Sequence, residues 1–186
     1  MYRRWSVALK IVAALIGIGG LIMIAERSGL LREGQEAPDF TATLSSGETI
    51  RLRDYRGTKA VVLSFYPGDF TAGCTAQACS YRDNYARVEE LGGIILGVSI
   101  DGEERHMQFA SSYRLPYPLI SDPERELCRL YGATRLGMGF LPSKRVTYVI
   151  DRDGVIRLVA HHEILIGKHI EEVLKTLERI QWKGTG

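Results

Sequence analysis

The chain has little cysteine: 186 residues include only Cys74, Cys79 and Cys128. A small secreted domain held together by disulfide bonds would have more cysteines, usually in an even number. The C-x-x-C motif of a dithiol oxidoreductase is missing, and the one C-x4-C pair lacks the second pair that a structural zinc site needs. Cysteine chemistry is therefore expected to be local rather than architectural.

An excess of charge of one sign is also lacking, since the formal net charge is only +2 at pH 7. Residues 1–32 hold five basic residues and one acidic residue, which leaves 19 basic and 21 acidic side chains in the remainder. A nucleic-acid-binding protein would cluster basic residues on its folded part. The charge pattern thus predicts no nucleic-acid partner, and the length favours a single globular domain.

Long apolar runs are limited to one, which extends from Val7 to Ala25 and is interrupted only by Lys10. At about 1.5 Å per residue, this run comes close to spanning a hydrocarbon core of about 30 Å. Trp5 fits the aromatic belt at a membrane interface. We therefore predict a transmembrane helix through residues 5–25, with residues 1–31 as a membrane anchor or signal sequence and residues 32–186 as the functional domain.

The basic residues near the start predict the orientation of that segment. Arg3, Arg4 and Lys10 precede most of the apolar run, so the positive-inside rule places the N-terminus in the cytoplasm and the domain on the extracytoplasmic, periplasmic side. A cleaved signal peptide, with export of the domain, is an alternative, although the run ends "LIMIAERSG" without a clear cleavage site. A peripheral or buried helix is a further alternative.

The rest of the chain alternates between strand-like and helix-like segments. A hairpin is expected at 39–55, a strand buried on both faces at 59–67 and a helix at 71–91. Further strands are expected at 94–101 and 117–122 and in a second hairpin at 145–161, with helices at 103–114, 123–132 and 168–180. This order predicts an α/β sandwich with a central mixed sheet flanked by helices, as in the thioredoxin-like fold.

Cys74 follows the predicted strand at 59–67 and a loop that contains Pro67 and Gly68. It is therefore expected in the first turn of the next helix, where its thiol faces unpaired backbone N–H groups and the positive end of the helix dipole. Both favour a thiolate over a thiol, which would make the cysteine reactive. A small core residue near a helix start is the alternative interpretation.

Cys79 lies five residues further along the same predicted helix. On a regular helix this spacing puts the two Cα atoms roughly 8 to 9 Å apart, whereas a disulfide bond needs about 4.4 to 6.8 Å. The two cysteines can be bridged only where the helix unwinds. The pair is a poor permanent crosslink and suits redox chemistry that is coupled to local unfolding.

Pro67, Thr71 and Cys74 form the pattern P-x3-T-x2-C. The segment "FYPGDFTAGCTAQACSYRD", residues 65–83, resembles the active-site segment of the peroxiredoxins, in particular the peroxiredoxin Q or bacterioferritin-comigratory subfamily of the AhpC/TSA-like proteins. The first hairpin and the segment "RVTYVID" at 145–151 resemble the family as well, so the resemblance covers residues 35 to about 181.

The resemblance implies a thiol peroxidase that reduces hydrogen peroxide and organic hydroperoxides to water and alcohols. Cys74 would be the peroxidatic thiolate that becomes a sulfenic acid, and Thr71 would hydrogen-bond the thiolate and the peroxide. Pro67 would shield the site from bulk water, and Arg145 would polarise the peroxide and keep Cys74 ionised. Cys79 would be the resolving thiol that forms an intrachain disulfide with Cys74.

The family also implies the partners. A thioredoxin-like dithiol protein would reduce the disulfide, no metal or organic cofactor is required, and a monomer is expected. The sequence departs from the family at Phe70, where a polar residue is common, and at Ala72, which replaces a frequent proline. Both positions are expected at the entrance to the site.

Two alternative functions use the same residues. A membrane-anchored thiol-disulfide oxidoreductase would share the predicted anchor and first hairpin but needs the missing C-x-x-C, and a copper-binding assembly module would use Cys74, Cys79 and a histidine. We interpret Cys128 as a buried structural residue, because it lies in the apolar pattern of a short helix. The histidines at 161, 162 and 169 are expected at solvent-facing strand and helix-cap positions.

Overall fold

The computed structural model describes residues 29–135 and 143–182. Within them, short strands and helices alternate along the chain, and a 3-10 turn at Leu52–Tyr55 follows the first hairpin. The strands are β1 (Thr41–Thr43), β2 (Thr49–Arg51), β3 (Ala60–Phe65), β4 (Gly93–Ser99), β5 (Leu119–Ser121), β6 (Val146–Ile150) and β7 (Ile156–His161). The helices are α1 (Ala72–Asp83), α2 (Tyr85–Glu90), α3 (Glu103–Tyr113), α4 (Glu126–Leu130) and α5 (Ile166–Trp182).

The central sheet has the strand order β5-β4-β3-β6-β7. Strand β3 pairs in parallel with β4 and antiparallel with β6, and Leu63 lies opposite both Leu96 and Tyr148. Strands β1 and β2 form the separate hairpin that the sequence predicts. The arrangement confirms the predicted mixed sheet and the thioredoxin-like order of elements.

Strand β3 is buried at every position and separates two apolar cores. Because side chains alternate along a strand, Val61, Leu63 and Phe65 pack toward the hairpin and α4, whereas Ala60 and Val62 pack toward α1, α2, α3 and α5. Each fully buried Val, Leu or Phe contributes about 1.5 to 3 kcal/mol to folding. The same alternation places Ser64 on the side of α1.

Helix α5 is amphipathic, as its apolar spacing predicts. Ile170, Val173 and Leu177 are buried in the second core, and Leu174 and Ile180 pack at its margin. Helix α5 also contacts α1 and the strands β6 and β7. The helix therefore covers the face of the sheet that carries α1.

The single helix predicted at 71–91 is divided in two by Asn84. Its backbone leaves helical geometry (φ −109°, ψ 4°), and its side-chain amide donates to the Ser80 carbonyl at 2.8 Å. A short polar side chain that bonds to the preceding turn competes with the helical pattern. The predicted end at Gly92 is correct, since Gly92 takes the left-handed conformation (φ 72°) just after α2.

The predicted fold class needs one correction, because the transmembrane helix that it included is not supported. In the described ranges 29–135 and 143–182, no helix combines the length and the apolar character needed to cross a membrane. The predicted span, residues 5–25, lies outside the described residues. The corrected fold class is the thioredoxin-like α/β fold alone, and the location expected for the domain stays a prediction.

Candidate active site

The site forms where the buried strand β3 passes through a short loop into helix α1. β3 ends at Phe65, residues 66–71 form the loop, and α1 begins at Ala72. Cys74 is therefore the third residue of the helix, and only 2% of its surface is exposed. Its Sγ lies beside the N-terminal turn, where unpaired N–H groups and the helix dipole favour negative charge.

Arg145 reaches the same place from strand β6. Because Phe65 pairs with Val146, the residue before Val146 lies next to the start of the loop. The guanidinium of Arg145 is buried, with Nη2 3.4 Å from the Sγ of Cys74 and Nη1 donating to Oε1 of Gln77 at 2.5 Å. Its Nε has no hydrogen-bond partner among the described residues. A buried cation thus faces the sulfur and retains one N–H for a further acceptor.

Pro67 and Thr71, the other predicted residues of the motif, lie in the loop before α1, and the Thr71 hydroxyl bonds to the loop backbone. Pro67 is buried in the loop, whereas Thr71 is exposed at the N-cap position of α1. The Thr71 hydroxyl donates to the carbonyl of Gly68 at 3.2 Å and makes no capping bond. The hydroxyl therefore forms a hydrogen bond within the loop and does not cap the N-terminus of α1.

Cys79 lies on the same uninterrupted helix as Cys74, and both are free thiols. Cys79 is half-buried, one and a half turns further along α1. At regular helical spacing the two Cα atoms are roughly 8 to 9 Å apart, which is too far for a disulfide bond. A Cys74–Cys79 bridge therefore requires α1 to open.

A buried chain of hydrogen bonds runs along the inward face of α1. The Gln77 amide donates to the Tyr81 hydroxyl at 3.4 Å, which is 2.8 Å from the Thr147 hydroxyl. Ser64 lies 3.1 to 3.3 Å from both hydroxyls. Thr147 in turn contacts Nδ1 of His169 at 3.0 Å. The face of α1 behind Cys74 is held by neutral polar groups that satisfy one another.

His169 is buried, so its predicted solvent-facing position is wrong. Its Nε2 lies 2.9 Å from the carbonyl of His162 and must donate, which leaves Nδ1 to accept from Thr147. Burial lowers the pKa of His169, which agrees with a neutral ring. His161 is exposed at the end of β7 as expected, and His162 is partly buried against Glu172.

Cys128 is fully buried, which confirms its interpretation as a core residue. It belongs to the apolar core on the hairpin side of the sheet, whereas α1 packs on the other side. Burial, followed by the nearby Asp122 carboxylate, raises the pKa of the Cys128 thiol. Cys128 is therefore a poor nucleophile and is separated from Cys74 by the sheet.

Sequence reasoning missed three residues of the site: Gln77, Asp69 and His106. Gln77 could have been found, because it follows Cys74 by three residues and so shares its helix face. His106 precedes the apolar Phe109 by three residues on α3, which hints at burial but not at a partner. Its contact with Asp69 joins residues 37 apart in the chain.

A cleft of about 620 Å³ lies at the other end of the sheet among residues such as Asp151, Arg157 and Arg179. It is lined by Ala60 at the start of β3, whereas Cys74 follows the end of that strand. Within the described ranges, no group of three or more His, Cys, Asp and Glu side chains could hold a metal ion.

Known proteins resemble the chain over most of its length. The model of the AhpC/TSA family matches residues 33–159. The chloroplastic peroxiredoxin Q of Populus jackii is 39% identical over 150 residues, which cover 81% of this chain and 70% of the relative. Peroxiredoxin Bcp of Bacillus subtilis is 37% identical over 155 residues, 81% of this chain and 97% of that protein.

Solved structures agree with these relatives. The crystal structure of the peroxidoxin BcpB from Mycobacterium tuberculosis superposes with a TM-score of 0.76 at 33% identity, covering 81% of this chain and 98% of that one. Peroxiredoxin Q from Xanthomonas campestris gives a TM-score of 0.70 at 27% identity, covering 76% and 91%. These similarities favour neither the thiol-disulfide oxidoreductase nor the copper module.

Proposed function

The chain belongs to the AhpC/TSA family and is a thiol peroxidase of the thioredoxin-dependent class, and we propose that it reduces hydroperoxides through the thiolate of Cys74. The observation that carries this assignment is the 3.4 Å contact between the Cys74 sulfur and the buried Arg145 guanidinium at the start of α1. A buried cation and a helix N-terminus both stabilise a thiolate, which is the nucleophilic form.

In the first step, the Cys74 thiolate attacks the terminal oxygen of the hydroperoxide. The S–O bond forms as the O–O bond breaks, and the electron pair leaves on the second oxygen, which takes a proton and departs as water or an alcohol. Negative charge grows on that oxygen in the transition state. Arg145 is suited to stabilise it, because its guanidinium is fixed in place and its Nε–H has no partner among the described residues.

Resolution of the sulfenic acid is assigned to Cys79. Once α1 opens, the Cys79 thiol attacks the Cys74 sulfur, a disulfide forms and water leaves. Cys79 is half-buried on the same helix, whereas Cys128 lies behind the sheet. A thioredoxin-like dithiol protein would then reduce the bridge through a mixed disulfide. By the family resemblance, Thr71 would orient the peroxide and Pro67 would exclude water.

The assignment is tested by peroxide consumption with a thioredoxin system and by mass spectrometry of the oxidised protein. Cys74→Ser is expected to abolish turnover. Cys79→Ser should still form a sulfenic acid in a single turnover but lose thioredoxin-supported recycling. Cys128→Ala, which adds no polar group to the core, is the matched control that should keep both steps. Full peroxide consumption by Cys74→Ser, or a disulfide other than Cys74–Cys79, would contradict the proposal.

A further inference from the structure

Asp69 lies in the loop before Cys74 and is almost completely buried, with 1% of its surface exposed. Burying a carboxylate costs free energy unless its oxygens are bonded. Oδ1 accepts from the Tyr66 hydroxyl at 2.8 Å, and Oδ2 lies 2.8 Å from Nδ1 of His106. Asp69 thereby ties the loop to helix α3, which carries His106.

The number of protons that His106 and Asp69 share follows from the contact of His106 Nε2. Nε2 of His106 lies 3.1 Å from the carbonyl of Ile120, which only accepts, so Nε2 carries a proton. Two lone pairs cannot face each other at 2.8 Å in a buried site, so one proton lies between Nδ1 and Oδ2. On either atom, this proton makes a hydrogen bond between α3 and the loop, and the His106–Asp69 pair has no net charge.

The loop needs this support because its backbone is in an unfavourable conformation. Phe70, between Asp69 and Thr71, has φ 61°, the left-handed region that bulky residues avoid. Its ring packs edge-on against Phe109 of α3, with centroids 5.2 Å apart, and the Arg105 guanidinium lies over it at 5.1 Å. Strained backbone persists only where surrounding contacts impose it.

The remaining contacts to Asp69 come from more exposed groups. Its N–H donates to Oδ2 of Asp101 at 2.7 Å, and its carbonyl accepts from Arg105 at 3.2 Å. The Arg105 side chain is about half exposed, so water competes for its bonds. His106 and Asp69 are shielded from water on all sides. Their bond is therefore better shielded from water than the bond from Arg105 to the loop.

We propose that His106 is a positioning residue for the peroxidase reaction: Nδ1 holds Asp69, and Asp69 holds the loop that sets Cys74 against Arg145. Without this bond, Phe70 can relax to negative φ, which turns the chain before Thr71 and shifts the start of α1. The sulfur then leaves its place beside Nη2 of Arg145. This inference rests on the proposed function of Cys74, and it concerns the peroxide step rather than resolution.

Two substitutions of His106 separate the roles of its two ring nitrogens, Nδ1 and Nε2. In His106→Asn, the side-chain amide can donate to Asp69 from near the position of Nδ1, but it cannot reach Ile120. In His106→Gln, the amide can donate to Ile120 from near the position of Nε2, but the bond to Asp69 is lost. Both variants remove the ring and one hydrogen bond, so we expect similar losses of thermal stability.

The measurement is the rate of Cys74 sulfenic acid formation in a Cys79→Ser background, together with the melting temperature of each variant. We expect His106→Asn to stay within about threefold of the parent and His106→Gln to be slower by about tenfold or more, the effect of one lost hydrogen bond to a charged group. Asp69→Asn should also keep the rate, because its amide can donate to a neutral His106. Gln108→Ala, on the exposed side of α3, is the matched control.

Equal rates in the Asn and Gln variants would overturn the inference, because His106 would then act only as a core side chain. A large loss in Asp69→Asn would overturn it as well, since charge rather than position would be responsible. Alkylation of Cys74 by iodoacetamide separates this inference from the proposed function. If the parent protein does not reduce peroxide, the proposed function fails, while slower alkylation in His106→Gln than in His106→Asn would still show that Nδ1 positions the sulfur.

Discussion

The loop in front of Cys74 and the inward face of helix α1 behind it are held in different ways. The loop depends on one buried pair, Asp69 and His106, around a strained residue. The helix face depends on several neutral groups, among them Tyr81 and Thr147, which share weaker bonds. We therefore expect the two regions to control different steps. The loop and Arg145 would determine the rate of sulfenic acid formation, whereas the helix face would determine how readily α1 opens for Cys79.

The largest effect is expected from Arg145, which touches both regions through Cys74 and Gln77. Arg145→Met should slow sulfenic acid formation about 10²- to 10³-fold, as the loss of a fixed donor to a developing oxyanion does elsewhere. Stopped-flow kinetics in a Cys79→Ser background measures this step. Arg145→Lys keeps the charge but cannot hold both partners, so an intermediate rate is expected. A Met variant as fast as the parent would remove Arg145 from the mechanism.

A smaller effect, an acceleration of disulfide formation, is expected from Tyr81 on the inward face of α1. Tyr81→Phe keeps the buried ring but removes the hydroxyl that joins Gln77, Ser64 and Thr147. The closed helix loses about 1 kcal/mol, so the opened form becomes about fivefold more populated. Disulfide formation after a peroxide pulse should accelerate by a similar factor, while sulfenic acid formation stays unchanged.

Tyr148→Phe provides the control for that prediction. Its hydroxyl donates to the carbonyl of Tyr131 at 2.7 Å in the core on the other side of the sheet. A comparable loss of stability is expected there without faster disulfide formation. If both variants formed the disulfide at the same rate, the inward face of α1 would not control the opening step.

The last prediction concerns the pH dependence of stability and involves His169, which ends the chain of hydrogen bonds along α1. Its pKa is lowered by burial, so below about pH 6.5 the unfolded chain binds a proton that the folded chain does not. The free energy of unfolding should therefore fall as the pH drops from about 6.5 toward the lower folded pKa, by at most about 1.4 kcal/mol per pH unit. Above about 6.5 this contribution is constant.

Urea unfolding between pH 5 and about 7.5 tests this sign for one titrating group. His169→Asn should flatten the pH dependence, because the titrating ring is gone, while its amide oxygen can still accept from Thr147. The exposed His161→Asn serves as the comparison. Equal slopes in the parent and in His169→Asn would show that His169 does not contribute.

Local patterns in the sequence were enough to predict most of the fold. The apolar run of β3, the turn at 151–154 and the stripe of α5 each depend on neighbouring residues, and each lies where it was expected. The helix predicted at 71–91 is divided because the Asn84 side chain bonds to the Ser80 carbonyl. This local hydrogen bond competes with continued helical backbone. The position of Cys74 at a helix start was also correct.

By itself, the sequence determined the order of elements and the thiol at the first turn of α1, because periodicity and capping act over a few residues. The family resemblance paired Arg145 with Cys74, but only the tertiary structure showed that contact and the partner of His106. Arg145 meets Cys74 across 71 residues, and His106 meets Asp69 across 37. Such contacts depend on strand register and helix packing, which place side chains from distant segments at one point. The same packing buries His169 and gives the His106 side chain its partner.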